Sequence, residues 1–303
     1  MNQMIGTHPY ALPAGEIARL SKNISLNTTC SCGKPVKDCE FWRPTIDKLG
    51  LDADLDLWQD PYALDLGFIR AVSEVDSSRQ TKFYLFKRAA YMGWLEFLNN
   101  AGIDASSSPL SSRYKQWIRE NLRVYDALRI QSGRRVIVDS SKGFRIAAGL
   151  YRSHSSGTRI LFLSRDGRGV VASYIRSGLT LKESVKSWKV YYERGMRWME
   201  NNVAPEHVLH VHYEKLVNDP TSELVRIFQF LQLPAAPEFD DQKRAQGHIL
   251  AGNRGTLRSS GISSDDRWRR ELTENQLDYF WNVAGSLMGR LGYSETNPVN
   301  QRS

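Results

Sequence analysis

The feature that most constrains the fold is a short apolar run followed at once by a basic loop and a helical pattern. Ile160 to Leu163 is apolar and rich in strand formers, which is typical of a strand buried on both faces. Residues 164–169 bring polar side chains and two glycines, and Val170 to Arg176 then has helical spacing. Ligands of open α/β sheets bind where strands end and helices begin, because free backbone N–H groups there attract anions. The stretch therefore predicts an anion site in an α/β fold.

The remaining patterns predict that strands and helices alternate along the chain. Alternation of this kind favours a parallel sheet with right-handed crossovers. We expect residues 1–303 to form one domain, with an irregular cysteine-containing segment at 26–62 and a basic loop at 237–270. The predicted strands cover residues 135–139, 160–163 and 208–212. The predicted helices cover residues 14–20, 65–75, 80–99, 113–130, 144–151, 170–176, 181–201, 221–231 and 272–291.

Charge narrows the class of partner. The chain has 41 Lys and Arg against 33 Asp and Glu, a net charge of +8 that favours anionic partners. This charge is spread along the chain rather than concentrated in runs or tails, so we expect no nucleic-acid partner. The sequence has no apolar run of membrane-spanning length, and its N-terminus lacks the order of a secretion signal. We therefore expect a cytoplasmic protein without an integral membrane segment.

The three cysteines lie together between Cys30 and Cys39. The segment is open to three interpretations: a zinc site completed by a distant ligand such as His8, a disulfide with one cysteine left over, or a reduced loop rich in turns. Complete zinc motifs have four ligands, and this segment shows three. We therefore expect the cysteines to lie close together in one loop without stoichiometric zinc.

Arg165-Asp166-x-Arg168, with Ser173 in the following helix, resembles the 3′-phosphate loop of the sulfotransferases, which use 3′-phosphoadenosine-5′-phosphosulfate (PAPS). Arg165 and Arg168 offer fork-shaped donors suited to phosphate, and Ser173 adds a hydroxyl. The alternative is a surface loop with an Arg–Asp pair.

Three further segments resemble the same family in the same order. Residues 136–142 place Lys142 at the end of a strand, where a lysine neutralises charge on a leaving group; an exposed lysine beside a helix cap is the alternative. Residues 210–220 resemble the Tyr-Glu-x-Leu…Asp-Pro segment, which implies that Tyr213 contacts the adenine end of PAPS unless it is a half-buried tyrosine of the strand end. Residues 247–269 resemble the loop that closes over the nucleotide or, alternatively, form an exposed basic loop. Its implied 3′-phosphate residues are Arg254, Gly255 and Arg258.

His8-Pro9 followed by Gly15-Glu16 resembles the stretch after the first helix in bacterial and tyrosyl-protein-type members. The resemblance implies that Glu16 is the general base of the acceptor. In the tyrosyl-protein type the base is the second glutamate of Gly-Glu-Glu, and Ile17 occupies that position here. The alternative is a glutamate that only stabilises a helix start.

The resemblance covers nearly all of residues 5–292 and implies a P-loop-NTPase-like three-layer α/β fold with a central parallel sheet. It implies in-line transfer of a sulfuryl group from PAPS to a hydroxyl or amine of a small-molecule, carbohydrate or peptide acceptor, with no metal. Residues 1–10 do not contain the family's Gly-x-x-Arg-Ser-Gly loop for the 5′-phosphosulfate. We therefore expect the first strand and loop to be missing and residues 1–303 alone to transfer sulfate negligibly. The alternatives are a non-catalytic relative that binds adenosine 3′,5′-bisphosphate or a protein partner, and a basic nucleic-acid-binding protein.

Overall fold

The structure is a computed structural model that describes residues 1–64, 66, 112–235, 239, 247–250 and 264–294, with isolated residues between 90 and 103. Its strands are β1 (Ala11–Gly15), β2 (Val136–Asp139), β3 (Ile160–Ser164) and β4 (Val208–His212). Its helices are α1 (Asn2–Ile5), α2 (Leu20–Ser25), α3 (Trp42–Ala53), α4 (Ser112–Ser132), α5 (Phe144–Ser153), α6 (Gly167–Arg176), α7 (Leu181–Asn202), α8 (Tyr213–Asn218), α9 (Pro220–Phe230), α10 (Trp268–Glu271) and α11 (Glu274–Arg290). Short 3₁₀ turns cover Ile17–Arg19, Val36–Asp38 and Pro205–His207.

The chain divides into two compact units. Unit 1 comprises Met1–Thr158 and Phe228–Ser260, and unit 2 comprises Arg159–Ile227 and Gly261–Ser303. Each unit contains one pair of parallel strands, β1 with β2 in unit 1 and β3 with β4 in unit 2. The prediction of an α/β fold with parallel strands is therefore confirmed, and the single-domain assignment stays a prediction.

Unit 1 is built around β1, β2 and the helices that cover them. The two strands run in register from Ala11 beside Val136 to Gly15 beside Asp139, with one irregularity between Pro13 and Gly15. Helices α3 and α4 bury one apolar face each, and these faces join the strands in a common core. The buried residues of this core include Leu12, Ala14, Trp42, Ile46, Leu49, Val124 and Leu128.

Unit 2 packs α6, α7 and α11 in an apolar core next to β3. Helices α7 and α11 both begin with capping boxes, formed by Thr180 with Glu183 and by Thr273 with Gln276. These polar starts fix where each helix begins, and the apolar residues that follow supply the core. The buried members include Val171, Val185, Trp188, Phe280, Leu287 and Met288.

The prediction that residues 26–62 are irregular is wrong, because α3 lies inside this segment. Trp42, Ile46 and Leu49 are buried at helical spacing on one face of α3. Pro44 obscured the pattern, but it lies in the first turn, where no backbone N–H is required. The helix ends at Asp54, which adopts a left-handed conformation.

The helical interpretation of residues 14–20 is also wrong at its start, because Ala11–Gly15 forms β1. Alanine, proline and glycine favour strands poorly, so parallel pairing with β2 and complete burial decide the conformation here. The other predicted elements within the described residues are confirmed, with ends that differ by at most three residues. Nearly all of the predicted helix at 65–75, most of the predicted helix at 80–99 and most of the predicted basic loop at 237–270 lie outside the described residues.

None of the helices in the described part of the chain combines the length and apolar character needed to cross a membrane.

Candidate functional site

The predicted anion site lies in unit 2, where the chain leaves the carboxyl end of β3 and enters α6. Asp166 is the N-cap of α6, and its carboxylate accepts the backbone N–H of Arg168. The backbone N–H of Asp166 in turn donates to Glu214 Oε1 at 2.9 Å. These bonds hold the turn rigidly and fix the direction in which Arg165 leaves it.

Arg165 is held by an aromatic ring on one side and a carboxylate on another. Its guanidinium carbon lies 4.7 Å from the centre of the Tyr213 ring. Its Nη2 donates to Asp265 Oδ2 at 3.0 Å and to the Asp265 carbonyl oxygen at 3.2 Å. Hydrogen bonds from Arg267 and then Arg165 hold the pKa of Asp265 well below its usual range, so this side chain is a carboxylate. A stacked guanidinium loses little freedom when it binds a planar or phosphate oxyanion.

Ser173 lies on the same side of α6 as the Arg165 guanidinium. A Cβ atom placed on Gly169 would lie 3.4 Å from Arg165 Nη2, so the guanidinium covers Gly169. Ser173 follows Gly169 by one helical turn on the same face. We call Arg165, Ser173 and Tyr213 the β3–α6 cluster. The structure stacks Arg165 on Tyr213 and places Ser173 on the helix face that Arg165 covers, and the roles of the three residues stay predictions.

Arg168 does not contribute to this cluster in the way its sequence position suggested. Its side chain is only 4% exposed, and its Nε and Nη2 donate to the two carboxylate oxygens of Asp166 at 3.0 and 2.7 Å. Its guanidinium carbon lies 4.1 Å from the centre of the Trp268 ring. The expectation that Arg168 offers its fork to phosphate is therefore wrong, because Asp166 and Trp268 already occupy the guanidinium.

Sequence reasoning missed a buried polar network behind the β3–α6 cluster. The Tyr293 hydroxyl donates to Glu214 Oε2 at 2.8 Å and lies 3.3 Å from Ser164 Oγ. Ser164 Oγ also lies 2.7 Å from His210 Nε2. Burial lowers the pKa of His210 to about 4 and raises the pKa of Tyr293 well above its usual range, so both are neutral near pH 7. The network orients Glu214, which supports the turn at Asp166.

In unit 1 the structure brings Glu16 and Lys142 together at the carboxyl ends of β1 and β2. Lys142 Nζ lies 3.3 Å from Glu16 Oε1, and Arg19 Nη1 lies 3.3 Å from the other carboxylate oxygen. The Glu16 side chain is only 9% exposed, whereas that of Lys142 is 78% exposed. We call Glu16 and Lys142 the β1–β2 cluster. The carboxylate is fixed in place, and the lysine is free to move in solvent.

Asp139 fastens the two strand ends that carry this pair. Its Oδ1 accepts the backbone N–H groups of Ile17 at 3.2 Å and Ser141 at 2.7 Å. Its Oδ2 accepts a hydrogen bond from the Tyr125 hydroxyl at 2.6 Å. Burial is the main cause that raises the pKa of Tyr125, and the negative charge of Asp139 raises it further. One carboxylate therefore sets the position of both loops, which sequence spacing alone did not reveal.

Gly15 explains how the chain turns from β1 to Glu16. Its φ of +81° is a conformation that favours glycine, and a Cβ atom there would clash with the carbonyl oxygen of Leu250. Any other residue at this position would both strain the backbone and displace Leu250.

The structure also tests the proposed zinc ligands. Cys30, Cys32 and Cys39 are free thiols that lie close together, which confirms the prediction of proximity. His8 is not near them as a ligand: its Nε2 lies 3.1 Å from the Pro234 carbonyl oxygen and its Nδ1 accepts the Tyr10 backbone N–H. The imidazole beside the cysteines is that of His248. The choice of His8 as the fourth ligand is therefore wrong. Arg254, Gly255 and Arg258 lie outside the described residues.

Comparison with known proteins bears on the region that carries most of these residues. Residues 111–238 match the model of a family described as "Sulfotransferase family". This segment is therefore similar to the sulfotransferase family. The match includes Lys142, Arg165, Ser173 and Tyr213, and it confirms the resemblance drawn from the motifs.

Carbohydrate sulfotransferase 1 of Danio rerio is 22% identical over 172 residues, which cover 46% of this chain and 39% of that protein. The match thus spans well under half the length of this sulfotransferase relative. Among solved structures, the sulfotransferase domain from the curacin biosynthetic pathway aligns with a TM-score of 0.51 and 14% identity, covering 94% of this chain and 91% of that one. At this identity the similarity shows the fold, which is of the sulfotransferase type.

Proposed function

We propose that this sulfotransferase-family chain transfers a sulfuryl group from PAPS to a hydroxyl or amine of an acceptor. The observation that carries the proposal is the Arg165 guanidinium, stacked on Tyr213 and lying over Gly169 at the start of α6. A rigid, partly exposed guanidinium beside a helix N-terminus matches the geometry and charge of a phosphate group.

The β3–α6 cluster is proposed to bind the nucleotide. Arg165 would donate to the 3′-phosphate, Ser173 would add a hydroxyl donor from the same helix face, and Tyr213 would contact the adenine end. Asp265 accepts from Arg165 in the structure and also accepts from Arg267 Nε at 2.8 Å. A phosphate at Arg165 would take the place of Asp265 as acceptor, and Asp265 would keep Arg267 as its cationic partner.

The β1–β2 cluster is proposed to take part in the transfer step. The acceptor oxygen or nitrogen attacks sulfur while the bond from sulfur to the 5′-phosphate oxygen breaks, which leaves adenosine 3′,5′-bisphosphate. Glu16 would accept the proton of the attacking group, and Lys142 would stabilise the negative charge that develops on the departing oxygen. The 78% exposure of Lys142 allows it to leave Glu16, which frees that carboxylate to act as a base.

The acceptor is proposed only as a class. A carbohydrate hydroxyl is one candidate, since the Danio rerio relative is named a carbohydrate sulfotransferase. Small molecules and peptides remain candidates, because the residues that would line an acceptor pocket are not fixed by any motif. An acceptor screen, with labelled PAPS as the donor and one member of each of the three acceptor classes, would identify the class that receives the sulfuryl group.

The test is the affinity for adenosine 3′,5′-bisphosphate, measured by calorimetry. Arg165→Ala should weaken binding by about 10- to 100-fold, which corresponds to about 1.5–3 kcal/mol for charge-assisted hydrogen bonds. The matched control is Arg290→Ala, since Arg290 belongs to unit 2 and forms a 2.8 Å surface ion pair with Glu200. This control should leave the affinity unchanged. An unaltered dissociation constant in folded Arg165→Ala protein would reject the nucleotide site.

A second measurement separates an enzyme from a non-catalytic binder. Because residues 1–303 alone are expected to transfer sulfate negligibly, the transfer assay uses a chain extended upstream by a strand and a 5′-phosphosulfate loop. In that protein Glu16→Gln and Lys142→Ala should lower the rate of transfer from labelled PAPS by more than about tenfold and leave the affinity for adenosine 3′,5′-bisphosphate nearly unchanged. Tight nucleotide binding without transfer to any acceptor class would favour the non-catalytic alternative. Binding of random oligonucleotides that displaces adenosine 3′,5′-bisphosphate would favour a nucleic-acid-binding protein.

A further inference from the structure

The cysteine cluster consists of Cys30, Cys32, Cys39 and His248, whose ligand atoms all lie within 4.8 Å of one another. The Cys32 and Cys39 sulfurs are 3.7 Å apart, and His248 Nδ1 lies 3.2 Å from the Cys39 sulfur and 3.9 Å from the Cys30 sulfur. A disulfide would bring two sulfurs to about 2.05 Å, so the cluster is not a bonded pair.

These distances are those of a tetrahedral metal site. Zn²⁺ binds thiolate at about 2.3 Å and imidazole at about 2.0–2.1 Å, so tetrahedral angles place two sulfur ligands about 3.8 Å apart. The same geometry places a sulfur and a nitrogen ligand about 3.6 Å apart. The 3.7 Å between the Cys32 and Cys39 sulfurs matches the first value. The 3.2 and 3.9 Å from His248 Nδ1 to the Cys39 and Cys30 sulfurs lie on either side of the second.

Two of the sulfur atoms are built into a tight turn. The Gly33 backbone N–H donates to the Cys30 carbonyl oxygen at 2.9 Å, and Gly33 has a φ of +89°. The Cys30 backbone N–H in turn donates to the Lys34 carbonyl oxygen at 2.9 Å. These backbone bonds fix the positions from which the Cys30 and Cys32 side chains leave the turn.

The imidazole is held in place by contacts that do not involve the cysteines. The Trp42 indole N–H donates to the His248 carbonyl oxygen at 2.7 Å. The Phe41 ring stacks on the imidazole, with the ring centres 5.2 Å apart and an angle of 12° between the ring planes. The next residue, Ile249, donates its backbone N–H to Ser31 Oγ at 2.8 Å and accepts the Ser31 N–H at 3.1 Å. A ring fixed in this way presents Nδ1 to the three sulfurs without any rearrangement.

We propose that Cys30, Cys32, Cys39 and His248 bind one Zn²⁺ ion with a structural role. Three soft thiolates and one imidazole select zinc over magnesium or calcium, and four protein ligands leave no open position for catalysis. Two of the sulfurs are buried, whereas Cys32 is exposed and provides the path of entry. The expectation of no zinc depended on a missing fourth ligand, and His248 supplies that ligand.

The ion would join two parts of unit 1 that are far apart in the chain. Cys39 and His248 are separated by 209 residues, so the bond would close a long loop and stabilise the folded chain through mass action. His248 also lies six residues before Arg254 in the sequence, so the ion would anchor the start of the segment that carries the predicted Arg254, Gly255 and Arg258.

The test begins with the full chain purified under reducing conditions from zinc-supplemented medium. Elemental analysis should find one zinc per chain, and a mercurial reagent that blocks the thiols should release it. Cys32→Ser and His248→Gln should each lower zinc retention against a competing chelator by at least tenfold. His154→Gln, a control at an exposed histidine of the same unit, should retain the metal as the natural sequence does.

The mercurial titration does not depend on how the variants fold, so the proposal remains testable if a variant is insoluble. Chelation should also lower the unfolding temperature of the natural chain, and added Zn²⁺ should restore it. Natural chain that carries no zinc and shows three freely reactive thiols would overturn the proposal. Retention of one zinc by both Cys32→Ser and His248→Gln would overturn it as well.

Discussion

Replacing Arg168 with methionine should destabilise the chain without removing a nucleotide ligand. The guanidinium donates two charge-assisted hydrogen bonds to Asp166, at 3.0 and 2.7 Å, and lies 4.1 Å from the Trp268 ring centre. Both charged side chains are 4% exposed. Methionine keeps the aliphatic packing but leaves the Asp166 carboxylate buried without its counter-ion, a change that costs about 3–5 kcal/mol.

The measurement is urea unfolding followed by tryptophan fluorescence and circular dichroism. Arg168→Met should lower the transition midpoint, whereas Arg290→Ala should change the free energy of unfolding by less than about 1 kcal/mol, since its ion pair is on the surface. The double variant Asp166→Asn with Arg168→Met should be more stable than Arg168→Met alone. Asparagine removes the unpaired charge and still caps α6.

The affinity for adenosine 3′,5′-bisphosphate distinguishes a structural role of Arg168 from the phosphate-binding role that the sequence predicted. At a urea-free condition where Arg168→Met is folded, its affinity for adenosine 3′,5′-bisphosphate should stay within about threefold of the natural chain. This factor corresponds to less than about 1 kcal/mol. A variant with natural stability and lost affinity would refute the argument, since that result would make Arg168 a phosphate ligand.

Two further predictions concern stability in unit 2. The folded pKa of His210, about 4, lies below its ordinary 6.5, so the unfolded chain takes up the proton first as pH falls. The contribution of His210 to the free energy of unfolding is therefore fully present above about pH 6.5 and is lost as the pH falls toward 4. The loss is about 1–2 kcal/mol once solvent screening of this half-buried ring is allowed for. His210→Gln should flatten this decline when urea unfolding is measured at several pH values. Gly167→Ala should lower the free energy of unfolding by about 1–3 kcal/mol, because a Cβ atom there would lie 2.7 Å from both Trp188 and Phe280. Gly195→Ala should instead raise it by about 0.5–1 kcal/mol, because a Cβ atom there would meet no atom within 4 Å and alanine favours the helix. Equal midpoints for the two alanine variants, or identical pH dependence of His210→Gln and the natural chain, would contradict these expectations.

The parts of the fold that the sequence predicted are those where one local pattern decides the structure. The sequence of residues 160–176 predicts a strand, a turn and a helix in consecutive positions, and the structure has β3 and α6 there. The long amphipathic helices α7 and α11 are of the same kind, because each begins with a capping box and repeats its apolar residues at helical spacing.

Elements that depend on a distant partner could not be predicted in this way. The residues of β1 are poor strand formers, and only the pairing with β2, more than 100 residues later, makes them a strand. The choice between Arg165 and Arg168 has the same origin. Both arginines leave the same loop, but Trp268 covers the guanidinium of Arg168, whereas Asp265 and Tyr213 leave that of Arg165 partly exposed.

The cysteine cluster shows how a correct local count can lead to an incomplete chemical argument. Three ligands in ten residues argued against zinc, since nothing nearby completes a tetrahedron. The fourth candidate comes from residue 248, and the contacts that position it involve Phe41 and Trp42, which directly follow the cysteine segment. These aromatic residues were hidden inside a segment predicted to be irregular, although Trp42 begins α3. A correct prediction of α3 would therefore have placed a rigid helix with aromatic residues at its start beside the cysteines. Only the folded chain identifies His248 as the imidazole that these aromatic residues contact.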